Sequence, residues 1–165
     1  MFMKMNSMIN NFSVVIPVFN EEEIFLESAN KIFKICQEIN MPFEIIFSEN
    51  GSLDNTKNLI HAFIEDKDNC FTINSNYANY GLALKNGFEI AKNDIVISFD
   101  IDYFSKKFLK QALHLDENFV ALVASKRLSE SEDERTFVRK MATSIFVLIL
   151  KLLFQTSLSL SLIHI

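Results

Sequence analysis

The sequence predicts an α/β fold, an αβα sandwich built around a mostly parallel sheet. Short apolar runs typical of buried strands alternate along the chain with stretches whose apolar residues recur at helical spacing. Polar or glycine-containing loops follow these strands, as in folds that bind ligands at the carboxyl edge of the sheet. Strand–helix–strand connections of this kind are right-handed in nearly all known folds, which sets the expected topology.

The first strand and helix are predicted within residues 13–39. Residues 13–17 form a short apolar strand. Asn20 is expected to cap the helix that follows, with Glu23 three residues later completing a capping box. Pro42 lies just beyond the end of that helix. The apolar stripe of the helix consists of Phe25, Ala29, Ile32, Phe33, Cys36 and Ile39.

Further strands are predicted at residues 43–48, 71–74 and 94–99, with a fifth at residues 119–124. One helix is expected to begin near Asp54, and its inward residues are Leu59, Ile60, Phe63 and Ile64. The helix before the fourth strand has an apolar face made of Ala83, Leu84, Gly87, Phe88 and Ala91. This alternation of strands and helices favours a parallel sheet covered by helices.

Composition narrows the class of protein. The chain has 165 residues, the size of one domain, and a hydrophobic fraction of 49% that is ample for a core. Its net charge of −5 argues against a nucleic-acid-binding surface. Cys36 and Cys70 show no metal-binding spacing and are interpreted as small buried hydrophobes in a reducing compartment. Because residues 1–11 do not resemble a signal peptide, we expect a cytoplasmic protein.

Two carboxylates close the fourth strand. Asp100 and Asp102 come directly after the apolar run at residues 95–99, which places both at the carboxyl edge of the predicted sheet. Hard oxygen ligands at such an edge suit Mg²⁺ or Mn²⁺ holding a substrate diphosphate. The alternative is that either residue is simply a solvated Asp at a strand end. The interpretation as a metal site therefore depends also on the loops upstream.

Two loops upstream contain glycine. Gly51 lies in residues 49–54, after the second strand, and Gly81 lies in residues 79–83, after the third. Glycine serves where the backbone turns sharply or approaches a ligand. Gly51 can equally be explained by a turn alone, with Asp54 capping the next helix. The functional interpretation adds that Glu49, at the end of its strand, faces the same crevice as Asp100.

Four motifs together resemble family 2 glycosyltransferases in order and spacing. They are residues 16–21, residues 49–56, Gly81-x-Ala83-x-x-x-Gly87 and Asp100-x-Asp102, and the resemblance runs from about residue 13 to residue 154. Within the family the chain most resembles the dolichyl- and polyprenyl-phosphate sugar transferases, which transfer mannosyl or glucosyl groups. That narrower resemblance rests on the basic segments Ser125-Lys126-Arg127 and Glu132-Asp133-x-Arg135-x-x-x-Arg139.

The resemblance implies a GT-A fold and a metal-dependent, inverting transfer of sugar from a GDP- or UDP-sugar to a polyprenyl or dolichyl phosphate. Asp100 and Asp102 would be the catalytic DxD motif that holds Mg²⁺ or Mn²⁺ and, through it, the diphosphate. Glu49 would accept a hydrogen bond from the base. The nucleotide-binding residues would be Pro17, Phe19, Glu21, Glu49, Gly51, Ser52, Lys85 and Asp100, and the acceptor phosphate would meet Arg127, Arg135 and Arg139.

Three positions depart from the family pattern. Asn50 stands where a second Asp is common, and Phe19 stands where Tyr is frequent, so a hydroxyl is lost. Phe104 occupies a position that is Gln in some lipid-phosphate mannosyltransferases, where it helps to hold the metal. These departures leave the donor sugar and the full set of metal ligands open, while both carboxylates remain.

The C-terminal part has its own predictions. Residues 141–154 are strongly apolar but shorter than the ~20 residues that a spanning helix needs, so we expect this helix to pack on the sheet or to contact the membrane surface peripherally. Residues 160–165 match a reading frame of a sequencing adapter, and we expect them to be an adapter-derived tail, with a natural apolar tail as the alternative. We then expect the catalytic domain to be residues 1–159, C-terminally truncated, with a complete donor half and an acceptor half too short for efficient sugar binding and transfer.

Two other classes of α/β protein also bind ligands or gather acidic residues at the ends of their strands. A dinucleotide-binding oxidoreductase needs a Gly-x-Gly-x-x-Gly loop after its first strand, and residues 17–20 contain no glycine. A phospho-acceptor signalling domain of flavodoxin-like fold also gathers acids at strand ends, and it is the alternative to an enzyme. Nucleotide-sugar binding would discriminate between the transferase and the signalling domain.

Overall fold

The computed structural model describes residues 11–114, in which strands and helices alternate. The elements are β1 (Phe12–Val18), α1 (Phe25–Gln37), β2 (Phe43–Glu49), α2 (Thr56–Ile64), β3 (Cys70–Asn74), α3 (Tyr80–Ile90), β4 (Val96–Ser98) and α4 (Lys106–Leu113). The α/β class and the four strands predicted within this range are confirmed. The predicted strand at residues 119–124, the three arginines and the apolar helix at residues 141–154 lie outside the described residues.

The four strands form one parallel sheet in the order β3-β2-β1-β4. In the flavodoxin-like order, β1 lies between β2 and β3. Here β1 lies between β2 and β4, so the strand order contradicts the fold of the signalling-domain alternative. Among the described helices, none is both long and apolar enough to cross a bilayer.

The two faces of the sheet pack against different helices. The even-numbered residues of β1 belong to a core that includes residues of α1, α2 and α4. Within it, the Phe25, Phe47 and Phe63 rings meet edge to face, with centroid separations of 5.2–6.0 Å. The other face carries α3, which packs so closely that a Cβ on Gly87 would lie 2.4 Å from Val15 Cγ1.

The prediction for the start of α1 is wrong. Asn20 does not cap this helix, and Glu23 forms no capping box, because α1 begins at Phe25 with Ile24 at the N-cap position. Asn20 instead has a positive φ of 53°. Its side chain accepts a hydrogen bond from Leu53 N–H, in the loop after β2. A contact between loops therefore overrides the local capping motif.

Two further differences concern helices. The apolar face predicted for α3 included Phe88, but that ring is 45% exposed, because Ala83 and Gly87 occupy the face that packs on the sheet. Helix α4 has no counterpart among the elements predicted from the sequence. Ser105 caps it by accepting a hydrogen bond from Phe108 N–H at 3.2 Å. Its buried residues are Leu109, Ala112 and Leu113, whose spacing is a helical signal in the sequence.

Candidate functional site

The candidate site lies where the order of the strands reverses. The chain moves outward from β1 to β2 and β3, then returns to the other side of β1 as β4. In open α/β sheets, ligands bind in the crevice outside the carboxyl ends of the strands at such a reversal. The loops that follow β1 and β4 flank this crevice, and the loop after β2 lies beside them.

Reciprocal hydrogen bonds join the loop after β1 to the loop after β2. Asn20 N–H donates to Ser52 Oγ at 3.0 Å, and Asn20 Oδ1 accepts from Leu53 N–H at 2.8 Å. Glu22 repeats this exchange, since its N–H donates to Asp54 Oδ2 at 3.2 Å and its Oε2 accepts from Asn55 N–H at 2.7 Å. The predicted nucleotide residue Ser52 therefore lies in a pair of hydrogen-bonded loops, residues 19–24 and 50–55, which we call the double loop.

A third link anchors Glu21, another predicted nucleotide residue. Its N–H donates to Thr56 Oγ1 at 2.8 Å, which ties the loop to the first residue of α2. Asp54 Oδ1 accepts from Thr56 N–H at 3.0 Å. Burial opposes ionisation of Asp54, but the hydrogen bonds from Thr56 and Glu22 lower the pKa of its carboxyl. Asp54 therefore helps to begin α2 and to hold the double loop.

Glu49 ends β2 at the crevice and is 1% exposed. Its Oε1 accepts a hydrogen bond from Ser52 N–H at 2.5 Å, so this carboxylate shapes the loop that follows it. Gly51 lies between them with φ of +76°, and a Cβ there would come within 2.7–2.9 Å of the Tyr77 backbone. Glycine is required at this point on both counts. Contact of Glu49 with a nucleobase stays a prediction.

Asn50, one of the departures from the family pattern, connects the loops after β2 and β3. Its N–H donates to Val18 O at 2.9 Å, and its Oδ1 accepts from Asn79 N–H at 2.7 Å. The side chain of Asn79 accepts from Leu82 N–H at 3.0 Å and so caps α3. Both asparagines hold the start of α3 against the site, a role that the sequence analysis missed. The Asn before the Tyr-Gly pair was its sequence signal.

The carboxylates of the crevice act on one another electrostatically. Asp100 lies two residues after the end of β4, and Asp102 is exposed two residues later. Burial raises the pKa of the Glu21 carboxyl, and the charges of Asp102 and Asp54 raise it further. The loops after β1 and β4 therefore share a region of negative potential, which a bound cation would relieve.

The carboxylates at the crevice are candidate ligands for a divalent cation. Within residues 11–114, no group of three or more His, Cys, Asp or Glu side chains could hold a metal ion. Mg²⁺ in phosphate-transferring sites is commonly held by one or two carboxylates, with substrate phosphates and water completing its shell. Asp100 and Asp102 supply two carboxylates of the kind that such a site uses, and metal binding by them stays a prediction.

The remaining predicted nucleotide residues occupy different places. Pro17 lies in β1 opposite Ser48, one residue before the strand ends. Phe19 follows that strand, and its ring is 38% exposed. Lys85 lies on the solvent-exposed side of α3, where its Nζ is 3.7 Å from a Glu89 carboxylate oxygen. Phe19 therefore lies in the loop after β1, whereas Lys85 lies within α3, and contact of either residue with a nucleotide stays a prediction.

The fold and these loops match a known family. The model described as Glycosyl transferase family 2 matches residues 13–161. The chain belongs to this family. The family resemblance expected from the four motifs is therefore confirmed, and all four lie within the matched residues.

Among curated proteins, the chain is similar to enzymes named undecaprenyl-phosphate 4-deoxy-4-formamido-L-arabinose transferase. It is 35% identical over 97 residues to the one from Proteus mirabilis, an alignment that covers 57% of this chain and 29% of that relative. The relative from Pseudomonas fluorescens is 34% identical over 93 residues, covering 54% of this chain and 27% of the relative. The aligned part thus spans less than a third of either relative.

Solved structures of TarS from S. aureus share the fold. The crystal structure of TarS 1-349 superposes with a TM-score of 0.50 at 24% identity, over 62% of this chain and 31% of that one. A second TarS crystal structure superposes with a TM-score of 0.51 at 25% identity, over 62% of this chain and 18% of that one. These likenesses agree with the GT-A fold expected from the motifs.

Proposed function

We propose that this chain is the donor-binding part of a glycosyltransferase that moves a sugar from a nucleoside-diphosphate sugar to a polyprenyl phosphate. The observation that carries the proposal is the convergence of three loops at the reversal of strand order. The loops after β1 and β4 contain Glu21 and the Asp100–Asp102 pair, and Glu49 ends β2 directly before the third loop. Membership of the family and the names of the curated relatives support the same reaction class.

Asp100 and Asp102 would hold Mg²⁺ or Mn²⁺ together with the donor diphosphate. A bound divalent cation would offset the negative charge that develops on the departing nucleoside diphosphate. Glu49 would recognise the base from the end of β2, and the double loop that contains Glu21 and Ser52 would hold the rest of the nucleoside. The hydrogen bonds between these loops preorganise that surface before the donor arrives.

The acceptor is a lipid phosphate in this proposal. A phosphate oxygen is already an anion and needs little help from a general base, so one displacement at the sugar carbon with inversion suffices. Arg127, Arg135 and Arg139 would bind the acceptor phosphate, since guanidinium groups match phosphate oxygens well. The lipid chain of this acceptor would place the whole protein at the cytoplasmic face of a membrane.

The test of the donor site is Asp102→Ala, with Asp94→Ala as the matched control. Asp94 is an exposed Asp at the opposite end of β4, so the control removes the same charge away from the crevice. Titration calorimetry with UDP and GDP is run in Mn²⁺ and again in EDTA. We expect Asp102→Ala to lose the metal-dependent part of the binding while Asp94→Ala keeps it. Equal metal-dependent affinity in Asp102→Ala and the unaltered chain would refute the assignment.

A further inference from the structure

Tyr80 is the first residue of α3, and the packing of this helix shows that Tyr80 lies on the side facing the sheet. Gly87 lies against Val15 of β1, on the face of the sheet that carries α3. Tyr80 precedes Gly87 by seven residues, which is about two helical turns, so the two residues occupy the same side of α3. Because α3 starts at the carboxyl edge of the sheet, Tyr80 lies nearer to the crevice than Gly87 does.

The register of β4 brings Asp100 to the same face and edge. Ser98 pairs with Val15, and the hydrogen bond from Phe99 N–H to Val15 O at 3.2 Å continues the pairing toward Asp100. Side chains alternate between the two faces of a strand, so Asp100 shares the face of Ser98 and lies two residues closer to the edge. The packing of α3 and the register of β4 thus each place one of these residues, Tyr80 and Asp100, on the same face and at the same edge of the sheet.

The Tyr80 hydroxyl is buried beside the Asp100 carboxylate, which interacts with it through charge and a side-chain hydrogen bond. Its oxygen is excluded from solvent and, within the part of the chain that the structure describes, forms no hydrogen bond of good geometry. Burial raises the pKa of Tyr80, and the neighbouring Asp100 carboxylate raises it further. A buried hydroxyl whose hydrogen bond is poorly aligned costs stability unless it serves another purpose.

We propose that Tyr80 is a positioning residue for Asp100, an inference that rests on the proposed function. When metal and nucleoside diphosphate bind, the Tyr80 hydroxyl donates a hydrogen bond to the Asp100 carboxylate and fixes its orientation toward the metal. The preceding residue, Asn79, donates its N–H to Asn50 beside Glu49. Two consecutive residues would thus connect the base side of the site with its metal side.

The experiment compares Tyr80→Phe with Tyr77→Phe in the 165-residue chain. Tyr77 is 61% exposed in the loop before α3, so the control removes a hydroxyl that faces solvent. UDP binding is titrated in Mn²⁺ and in EDTA, and thermal unfolding is measured for each variant. We expect Tyr80→Phe to weaken Mn²⁺-dependent binding by about tenfold, the effect of losing a hydrogen bond to a charged group. Binding in EDTA and the unfolding temperature should not fall.

A second measurement reports the position of Tyr80 without any activity. In protein with labelled tyrosines, Mn²⁺ with UDP should broaden the Tyr80 ring signals, and Asp102→Ala should abolish this broadening. Unchanged Mn²⁺ dependence in Tyr80→Phe, alongside its loss in Asp102→Ala, would overturn the role of Tyr80 and leave the proposed function intact. Weaker binding in EDTA or a lower unfolding temperature would make Tyr80 a structural residue. Metal-dependent binding retained by Asp102→Ala would refute the proposed function itself, and the inference with it.

Discussion

Replacing Gly51 with Ala tests how tightly the fold constrains the loop after β2. Gly51 has φ of +76°, and a Cβ there would lie 2.7 Å from Tyr77 C and 2.9 Å from Tyr77 Cα and N. These are backbone atoms, so no side-chain rotation can relieve the overlap. The loop after β3 would have to move instead, and it is held by Asn50 Oδ1 through Asn79 N–H.

The magnitude follows from two costs. A residue with a Cβ in the left-handed region costs about 1–2 kcal/mol. Overpacking against a neighbour that cannot move easily costs typically about 1–3 kcal/mol. Because the loop can relax in part, we expect Gly51→Ala to lower the free energy of unfolding by about 2–4 kcal/mol. For a chain of this length that corresponds to a fall in the unfolding midpoint of roughly 4–16 °C.

The assay is urea unfolding followed by far-UV circular dichroism, with Gly81→Ala as the matched control. Among the described residues, the one atom outside its own helix backbone and chain neighbours that a Cβ on Gly81 would meet is Asn79 Oδ1, at 3.8 Å. Gly81 is the second residue of α3. Ala is the better helix former, so the control should be neutral or more stable by up to ~1 kcal/mol. Gly51→Asn separates the two costs, because Asn tolerates the left-handed region yet still carries the Cβ.

The reasoning is refuted if Gly51→Ala unfolds within about 0.5 kcal/mol of the unaltered chain, the range usual for ordinary surface substitutions. A loss in Gly81→Ala as large as in Gly51→Ala would also contradict it. Full rescue by Gly51→Asn would show that backbone conformation alone matters and that the approach to Tyr77 costs little.

Two further predictions concern the base site and the thiols. Glu49→Gln should weaken UDP or GDP binding by about 1–3 kcal/mol, because it removes a charged hydrogen-bond acceptor for the base. Ribose 5-phosphate should bind equally well, because the Gln amide oxygen can still accept from Ser52 N–H and keep the loop in place. Equal losses for the nucleotide and for ribose 5-phosphate would exclude a base contact. Burial raises the pKa of the Cys36 and Cys70 thiols from 9.0 to about 12, so at pH 8 they should react with DTNB only after urea unfolding. Because the thiols of the unfolded chain ionise at lower pH than those of the folded chain, their contribution to the free energy of unfolding is complete below about pH 9 and falls between pH 9 and 12. A Cys36→Ala variant should therefore lose less stability over that interval than the unaltered chain. An equal loss would contradict the raised thiol pKa of Cys36.

The sequence determined those features that depend on local pattern. The apolar runs of β1 and β2 were recognised because strands buried on both faces are continuously hydrophobic, and both strands are almost entirely buried in the structure. The stripe of α1 followed from its helical spacing. The carboxyl edge of the sheet was also predictable, because Glu49 ends β2 and Asp100 comes two residues after β4, whatever the order of the strands.

Only the tertiary structure decided what those ends meet. Asn20 looked like a helix cap, but its oxygen bonds Leu53 N–H, 33 residues away, because the loops after neighbouring parallel strands lie side by side. The same holds for Asn50 with Asn79, and for Tyr80 beside Asp100. Local propensity governs segments whose polar groups are satisfied within a few residues. Loop amides and buried hydroxyls must find partners across the sheet edge, and strand order and register determine those partners.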